Sequence, residues 1–222
     1  MPATAALPVS DLSARALADK RCTQVRVVLR RQPPDECGIL RVGYFAPTRK
    51  RRNGEQYPGP ETFGAWTDEG DWAMKCPYGP PGGEYYVQEA FIACTISDDT
   101  VPGPGQKRII VEGVAGDLFY RASVTRKTRF ILEVGSELKW SAATRMPAWA
   151  ARFQLKVTAV RTQRLHDVTD EDAHAEGAVS RGMTQYVGKL RERFIDNWIA
   201  TRGRASWESN PWCWVLTVER TD

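Results

Sequence analysis

Histidine and paired cysteine are scarce in this sequence. There are two histidines, His166 and His174, and five scattered cysteines, Cys22, Cys37, Cys76, Cys94 and Cys213. No two cysteines stand at C-x-x-C spacing, which argues against a structural zinc site and against a disulfide framework. Two histidines are too few for a multi-histidine centre, so no metal site is expected and the thiols are expected to be free. No apolar run approaches the roughly 20 residues that span a bilayer. The opening Met1-Pro2-Ala3-Thr4-Ala5-Ala6-Leu7-Pro8 lacks the basic start and long apolar stretch of a signal peptide. A cytoplasmic protein without a membrane partner is therefore expected. The patterns G-x-x-x-x-G-K-[ST], G-x-G-x-x-G after a strand, G-x-S-x-G and H-E-x-x-H are also missing. Their absence argues against common nucleotide hydrolases, dinucleotide oxidoreductases and zinc proteases, and no cofactor is expected. No repeat of 20–50 residues is visible either.

What is present is ordinary globular material. Hydrophobic residues make up 42% and charged residues 26% of 222 positions, enough to bury a core without staples. No stretch has the composition of a linker. The expected organisation is an N-terminal tail over residues 1–9 and one domain over 10–222, with insertions near 47–70 and 98–107. The net charge of +4 is unevenly spread. Cations gather at Lys20-Arg21, Arg30-Arg31, Arg49-Lys50-Arg51-Arg52 and Arg126-Lys127. Such clusters suit a phosphate-bearing partner, and their plainer account is solvated faces and loop tips.

Ser10 or Asp11 can cap a short helix over residues 12–20 by accepting from a free first-turn N–H. Residues 23–29 read as a strand, with Val25, Val27 and Leu29 on one face and Gln24, Arg26 and Val28 on the other. Gly54, Pro58, Gly59 and Pro60 beside the basic run predict an exposed loop. A tight turn over residues 76–83 leads into a strand over 84–92. Pro102, Gly103, Pro104 and Gly105 mark another loop, with short strands near 108–111 and 118–122. Over residues 152–160, Phe153, Leu155, Val157 and Ala159 alternate with Gln154, Lys156 and Thr158 as in a half-buried strand. Thr169 through Asp172 resembles a capping box for a helix that stops at Gly177. A longer helix over 185–200 stacks Tyr186, Leu190, Phe194 and Trp198, with Gly203 past its end. A closing strand over 212–218 puts Trp212, Trp214, Leu216 and Val218 on one face. Short strands of uneven spacing with few helices predict an α+β fold built on a small mixed barrel.

Five ordered segments carry a further signal. They are Ala18-Asp19-Lys20-Arg21-Cys22-Thr23-Gln24-Val25-Arg26; Cys76-Pro77-Tyr78-Gly79 through Tyr86-Val87-Gln88-Glu89; Lys139-Trp140-Ser141 through Met146-Pro147-Ala148-Trp149-Ala150-Ala151-Arg152; Leu165-His166-Asp167-Val168-Thr169 through Ala173-His174-Ala175-Glu176-Gly177; and Trp207-Glu208-Ser209-Asn210-Pro211-Trp212-Cys213-Trp214. Together they resemble the ASCH superfamily, in particular its long phage and prophage members. The resemblance implies a PUA-like small mixed β-barrel with flanking helices and long loop insertions. The chain departs from the family pattern at Asp19, Gly83 and Gln88, where relatives carry glycine, aspartate and arginine.

The resemblance implies an RNA-binding or modified-nucleobase-binding protein. Lys20, Arg21, Arg26, Lys139 and Arg145 would meet phosphate or a base edge, and Tyr78, Trp140 or Trp149 would stack. A small ASCH enzyme hydrolyses N4-acetylcytidine with a lysine, a threonine and a glutamate, which fall here on Lys20, Thr23 and Glu176. An amidohydrolase on acylated nucleobases is therefore the alternative, with lysine as base and the others supplying nucleophile and charge stabilisation. That match needs a one-residue shift; without a gap Arg21 and Gln24 take the places of the lysine and the threonine, and arginine cannot act as base. A third reading is a prophage accessory protein that meets a host protein through the loop of Arg49, Lys50, Arg51 and Arg52. Each residue also has a plainer account: Glu176 as a helix-end partner of an arginine, Lys20 and Arg21 as exposed cations at a helix C-terminus, Arg26 on a solvated strand face, and Trp140 or Trp149 as core anchors.

Overall fold

The computed structural model describes residues 5–93, 110–111, 118–123, 130–131, 140–179 and 190–222. The described residues open with a strand, β1 (Ala5–Pro8), and a helix, α1 (Asp11–Ala18), whose Ser10 cap accepts from the Ser13 amide. Ala14, Ala16 and Leu17 bury the inner face of α1. The helix closes on Lys20, which sits in the left-handed region at φ 55°, and the chain turns into β2 (Gln24–Val28). Five short strands follow: β3 (Arg41–Phe45), β4 (Thr48–Lys50), β5 (Gln56–Pro58), β6 (Thr62–Trp66) and β7 (Ala73–Lys75). Then come β8 (Glu84–Gln88), β9 (Phe91–Ala93), β10 (Ile110–Val111), β11 (Leu118–Tyr120) and β12 (Phe130–Ile131). Single helical turns at Ala143–Arg145 and Ala148–Ala150 precede the long strand β13 (Gln154–Arg164). Helices α2 (Asp170–Ala175), α3 (Leu190–Arg202) and α4 (Arg204–Glu208) lead to the last strand, β14 (Trp212–Arg220).

Among the described residues the central sheet has five strands in the order β1-β8-β13-β14-β2. β1 runs parallel to β8, and the other pairs are antiparallel. Leu7, Val25, Val87, Leu155, Val157, Trp214, Leu216 and Val218 are buried in its main core. Phe194 and Trp198 of α3 pack with Leu165, Val168, Ala173 and Cys213 in a second cluster. A separate sheet, β3-β6-β7, lies against the main core through Val42, Phe63, Ala65 and Met74. The fold is thus mixed α+β. Among the described residues the central sheet is open, with β1 and β2 at its edges.

Several elements differ from expectation for local reasons. Residues 5–8, expected in a tail, form β1, because Leu7 is fully buried beside β8 and an edge strand tolerates Pro8. The insertion expected near 47–70 contains the hairpin β4–β5 and strand β6, and the loop expected over 53–60 holds β5, all short runs. β13 continues to Arg164, and a bulge between Val157 and Ala159 turns Ala159 outward and Val160 toward the core. Tyr78, expected to stack on a base, lies in the core edge-on to Tyr85, which donates a hydrogen bond to the Tyr78 carbonyl. The capping box at Thr169 and Asp172 forms, and Gly203 takes a positive φ of 83° after α3. The expected start of that helix, with Tyr186, falls outside the described residues, as do the loop at 102–105, Arg126, Lys127 and Lys139.

Candidate ligand-binding site

Arg26 alternates with Val25 and Val27 on β2, so it leaves the sheet on the face covered by α2 and α3. Its side chain is fully shielded from solvent and meets Glu176, whose side chain is only 6% exposed. Arg26 Nε donates to Glu176 Oε1 at 2.8 Å, and Gln24 Nε2 donates to the same oxygen at 3.1 Å. Arg26 Nη1 donates to Gln163 Oε1 at 2.9 Å, and Nη2 lies 3.6 Å from Asp172 Oδ2. Arg161 Nη2 donates to Asp172 Oδ1 at 2.6 Å. The Phe194 ring lies 5.7 Å below the Arg26 guanidinium.

Glu176 reaches this position because α2 ends in a Schellman turn. The Ala178 amide bonds the Ala173 carbonyl and the Gly177 amide the His174 carbonyl, at 2.8 and 2.9 Å. Gly177 has φ +100°, and a Cβ there would lie 2.4 Å from the Ala16 Cβ. The glycine thus allows the close approach of α2 to α1. Burial lifts the Glu176 carboxyl above its ordinary value despite the opposing Arg26 charge. Burial also pushes Asp172 up, but the Gln24 amide, Arg161, the Gln163 amide and the Thr169 N–H together hold it below the usual range.

Arg26 and Glu176 line a narrow cavity of about 30 Å³ with Ser13, Phe194, Asn197 and Trp198. That volume holds one or two waters. Lys20 and Thr23 line a different groove, of about 410 Å³, with Leu17, Cys22, Glu219 and Arg220. The Thr23 amide donates to the Ala175 carbonyl at 2.9 Å, so the two backbones touch while the side chains enter separate spaces. Arg21 is half-buried and pairs with Asp19 at 2.8 Å. Sequence reasoning does not point to Arg161, Gln163 or Asp172 as site residues. Their only sequence signals are strand alternation and a capping box, neither of which tells which neighbour a polar side chain will meet.

The remaining candidates sit on the two helical turns before β13. Trp149 is 77% exposed. Its turn is nevertheless fixed, because Met146 and Ala150 are buried and Tyr120 Oη donates to the Ala150 carbonyl at 2.7 Å. Arg145 is exposed on the preceding turn, and Trp140 is half-buried. Gln88 Nε2 donates to the Met146 carbonyl at 2.8 Å, and the Val9 amide donates to the Gln88 carbonyl at 2.9 Å. Val9 in turn lines the cavity beside Arg26, so the Trp149 turns are tied to its rim. Arg152 clasps the buried Glu89 with two hydrogen bonds of 2.9 and 2.6 Å and lies over Tyr120 at 4.0 Å. That clasp fastens the same turns to the strand region after β8.

Cys22, Cys37, Cys76 and Cys213 are free thiols, and Cys94 lies outside the described residues. Among the described residues no group of three or more histidine, cysteine or carboxylate side chains could hold a metal ion. No helix among them is long and apolar enough to cross a membrane. Comparison of the chain with protein-family models, with curated proteins and with solved structures finds no match.

Proposed function

We propose that the chain binds single-stranded RNA or a modified nucleobase, with Trp149 as the stacking side chain and Arg145 as a phosphate contact. The observation that carries this reading is an indole 77% open to water on a turn whose other residues are pinned. Such a ring adds nothing to the core, yet the turn that carries it is held before any ligand arrives. Preorganisation of this kind lowers the entropy cost of binding. In this reading the central sheet frames a PUA-like barrel of the ASCH type, and Arg26, held by Glu176, keeps the adjoining rim rigid. Trp140, half-buried on the same segment, is assigned to the same surface.

Binding is favoured over amide hydrolysis by the placement of Lys20, Thr23 and Glu176 in two separate spaces. Glu176 is already engaged by Arg26 and Gln24, and a guanidinium cannot accept a proton. Stacking contributes about 1–3 kcal/mol per base, so Trp149→Ala weakens binding of a labelled oligouridine RNA by roughly tenfold or more. Fluorescence anisotropy at low salt measures this, and an unchanged affinity would exclude Trp149 as the platform. Release of N4-cytidine acetyl groups by the wild type, abolished in Lys20→Ala and Glu176→Ala, would restore the hydrolase reading.

A further inference from the structure

The sheet β3-β6-β7 uses one face for the core and leaves the other outside it. Cross-strand register places Arg41, Gly43 and Phe45 of β3 on this outer face with Thr62, Gly64 and Trp66 of β6 and Ala73 and Lys75 of β7. Gly43 and Gly64 stand opposite each other, so the middle row carries no side chain on β3 and β6, and Lys75 ends it on β7. The Trp66 indole leans across that row, and its Cη2 lies 3.4 Å from where a Gly43 Cβ would be. There it meets Phe45, with ring centroids 5.3 Å apart at 37°. Both rings are partly exposed, and Lys75 and Arg41 flank them in the open.

The chain runs from Phe45 directly into the hairpin β4–β5 and returns to the same face at Thr62. All of Arg49, Lys50, Arg51 and Arg52 are exposed on that hairpin. Its one carboxylate, Glu55, is taken by Arg51 at 3.0 Å, and Arg51 also covers Tyr57 at 5.2 Å. Among the described residues Arg49, Lys50, Arg52 and Lys75 make no ion pair. Three neighbouring unpaired cations repel one another, which makes the hairpin a poor stabiliser of the fold and a good partner for phosphates.

We propose that this outer face and the hairpin form a second nucleic-acid surface, with unstacked bases lying on Phe45 and Trp66 and phosphates following Arg49, Lys50 and Arg52. A single strand fits, because base faces reach aromatic rings only when they leave the duplex stack. The inference shares its ligand class with the Trp149 reading but rests on different residues. The test is anisotropy of a labelled oligouridine RNA against salt, for wild type, Trp149→Ala, Trp66→Ala and the triple variant Arg49→Gln, Lys50→Gln, Arg52→Gln. Each single-strand phosphate left without its cation lowers the salt slope by about 0.7, so the slope of the triple variant should fall by about 2. Trp66→Ala should weaken binding roughly tenfold at an unchanged slope. The triple variant changes only exposed side chains, so it keeps the fold, and a thermal melt checks this for both variants. An unchanged slope in the triple variant overturns the inference, even where Trp149→Ala weakens binding. A lowered slope with Trp149→Ala silent supports it and removes the Trp149 platform instead. Equal binding of polyglutamate and RNA, indifferent to Trp66→Ala, overturns it in favour of an acidic protein partner.

Discussion

Removing Arg26 and removing Asp172 should unfold the protein by opposite routes as pH changes. Arg26→Leu leaves the Glu176 carboxylate buried with only the Gln24 amide for company. Breaking a buried pair in this way costs about 3–5 kcal/mol at neutral pH. The orphaned carboxyl escapes by taking up a proton, so the variant should gain stability as the solution is made acid. The sign follows from its raised value: a carboxyl lifted in the folded state favours folding below its ordinary pKa and loses that contribution as pH rises through the lifted one. Asp172 is the opposite case. Its lowered value gives stability above the ordinary range that is lost as pH falls through the folded value. Asp172→Asn should therefore be costly at neutral pH and nearly silent in strong acid, because there the wild type has given up the same charge. Urea titrations across the acid range measure both. An Arg26→Leu variant that weakens further on acidification would refute the role given to Glu176.

At the scale of elements, α2 is specified by its two ends. Thr169→Ala removes the side chain that holds the Asp172 amide and should cost about 1 kcal/mol. Gly177→Ala should cost more, because a left-handed position for alanine adds roughly 1 kcal/mol or more and its Cβ drives into Ala16. Denaturant midpoints of the two variants rank the effects, and Gly177→Ala as the milder of the two would contradict the packing of α2 on α1. Both ends are readable in the sequence, since a capping box and a terminal glycine are local signals. The bulge in β13 is not: the apolar alternation through Phe153, Leu155 and Val157 runs on to Ala159, and only pairing with β14 moves the inward position to Val160. The strands β4, β5 and β6 are hidden because glycine, proline and arginine in short runs look like loop. The Arg26–Glu176 contact lies between. Both residues stand out in the sequence, but their meeting depends on how far Gly177 lets α2 approach α1.

The molecule as a whole is held together by contacts distant in sequence. Residues at 26 and 176, 89 and 152, and 7 and 87 meet across the core. Composition and alternation convey an α+β class, but no local pattern reports which strands are neighbours. That is why β1 resembles a tail in the sequence: four residues with one buried leucine have no signature until β8 lies beside them. Its consequence concerns what happens when those residues are removed. β1 is the only cover, among the described residues, for the outer edge of β8, and it satisfies the Ala5-to-Pro8 register with Tyr85 through Gln88. A chain shortened to start at Val9 would bare a row of unpaired amides and carbonyls, which act as a template for another copy. Size-exclusion chromatography should show such a truncation forming dimers or larger species at concentrations where the full chain elutes unchanged. A truncated chain that elutes as the full chain does would mean that β8 needs no such guard.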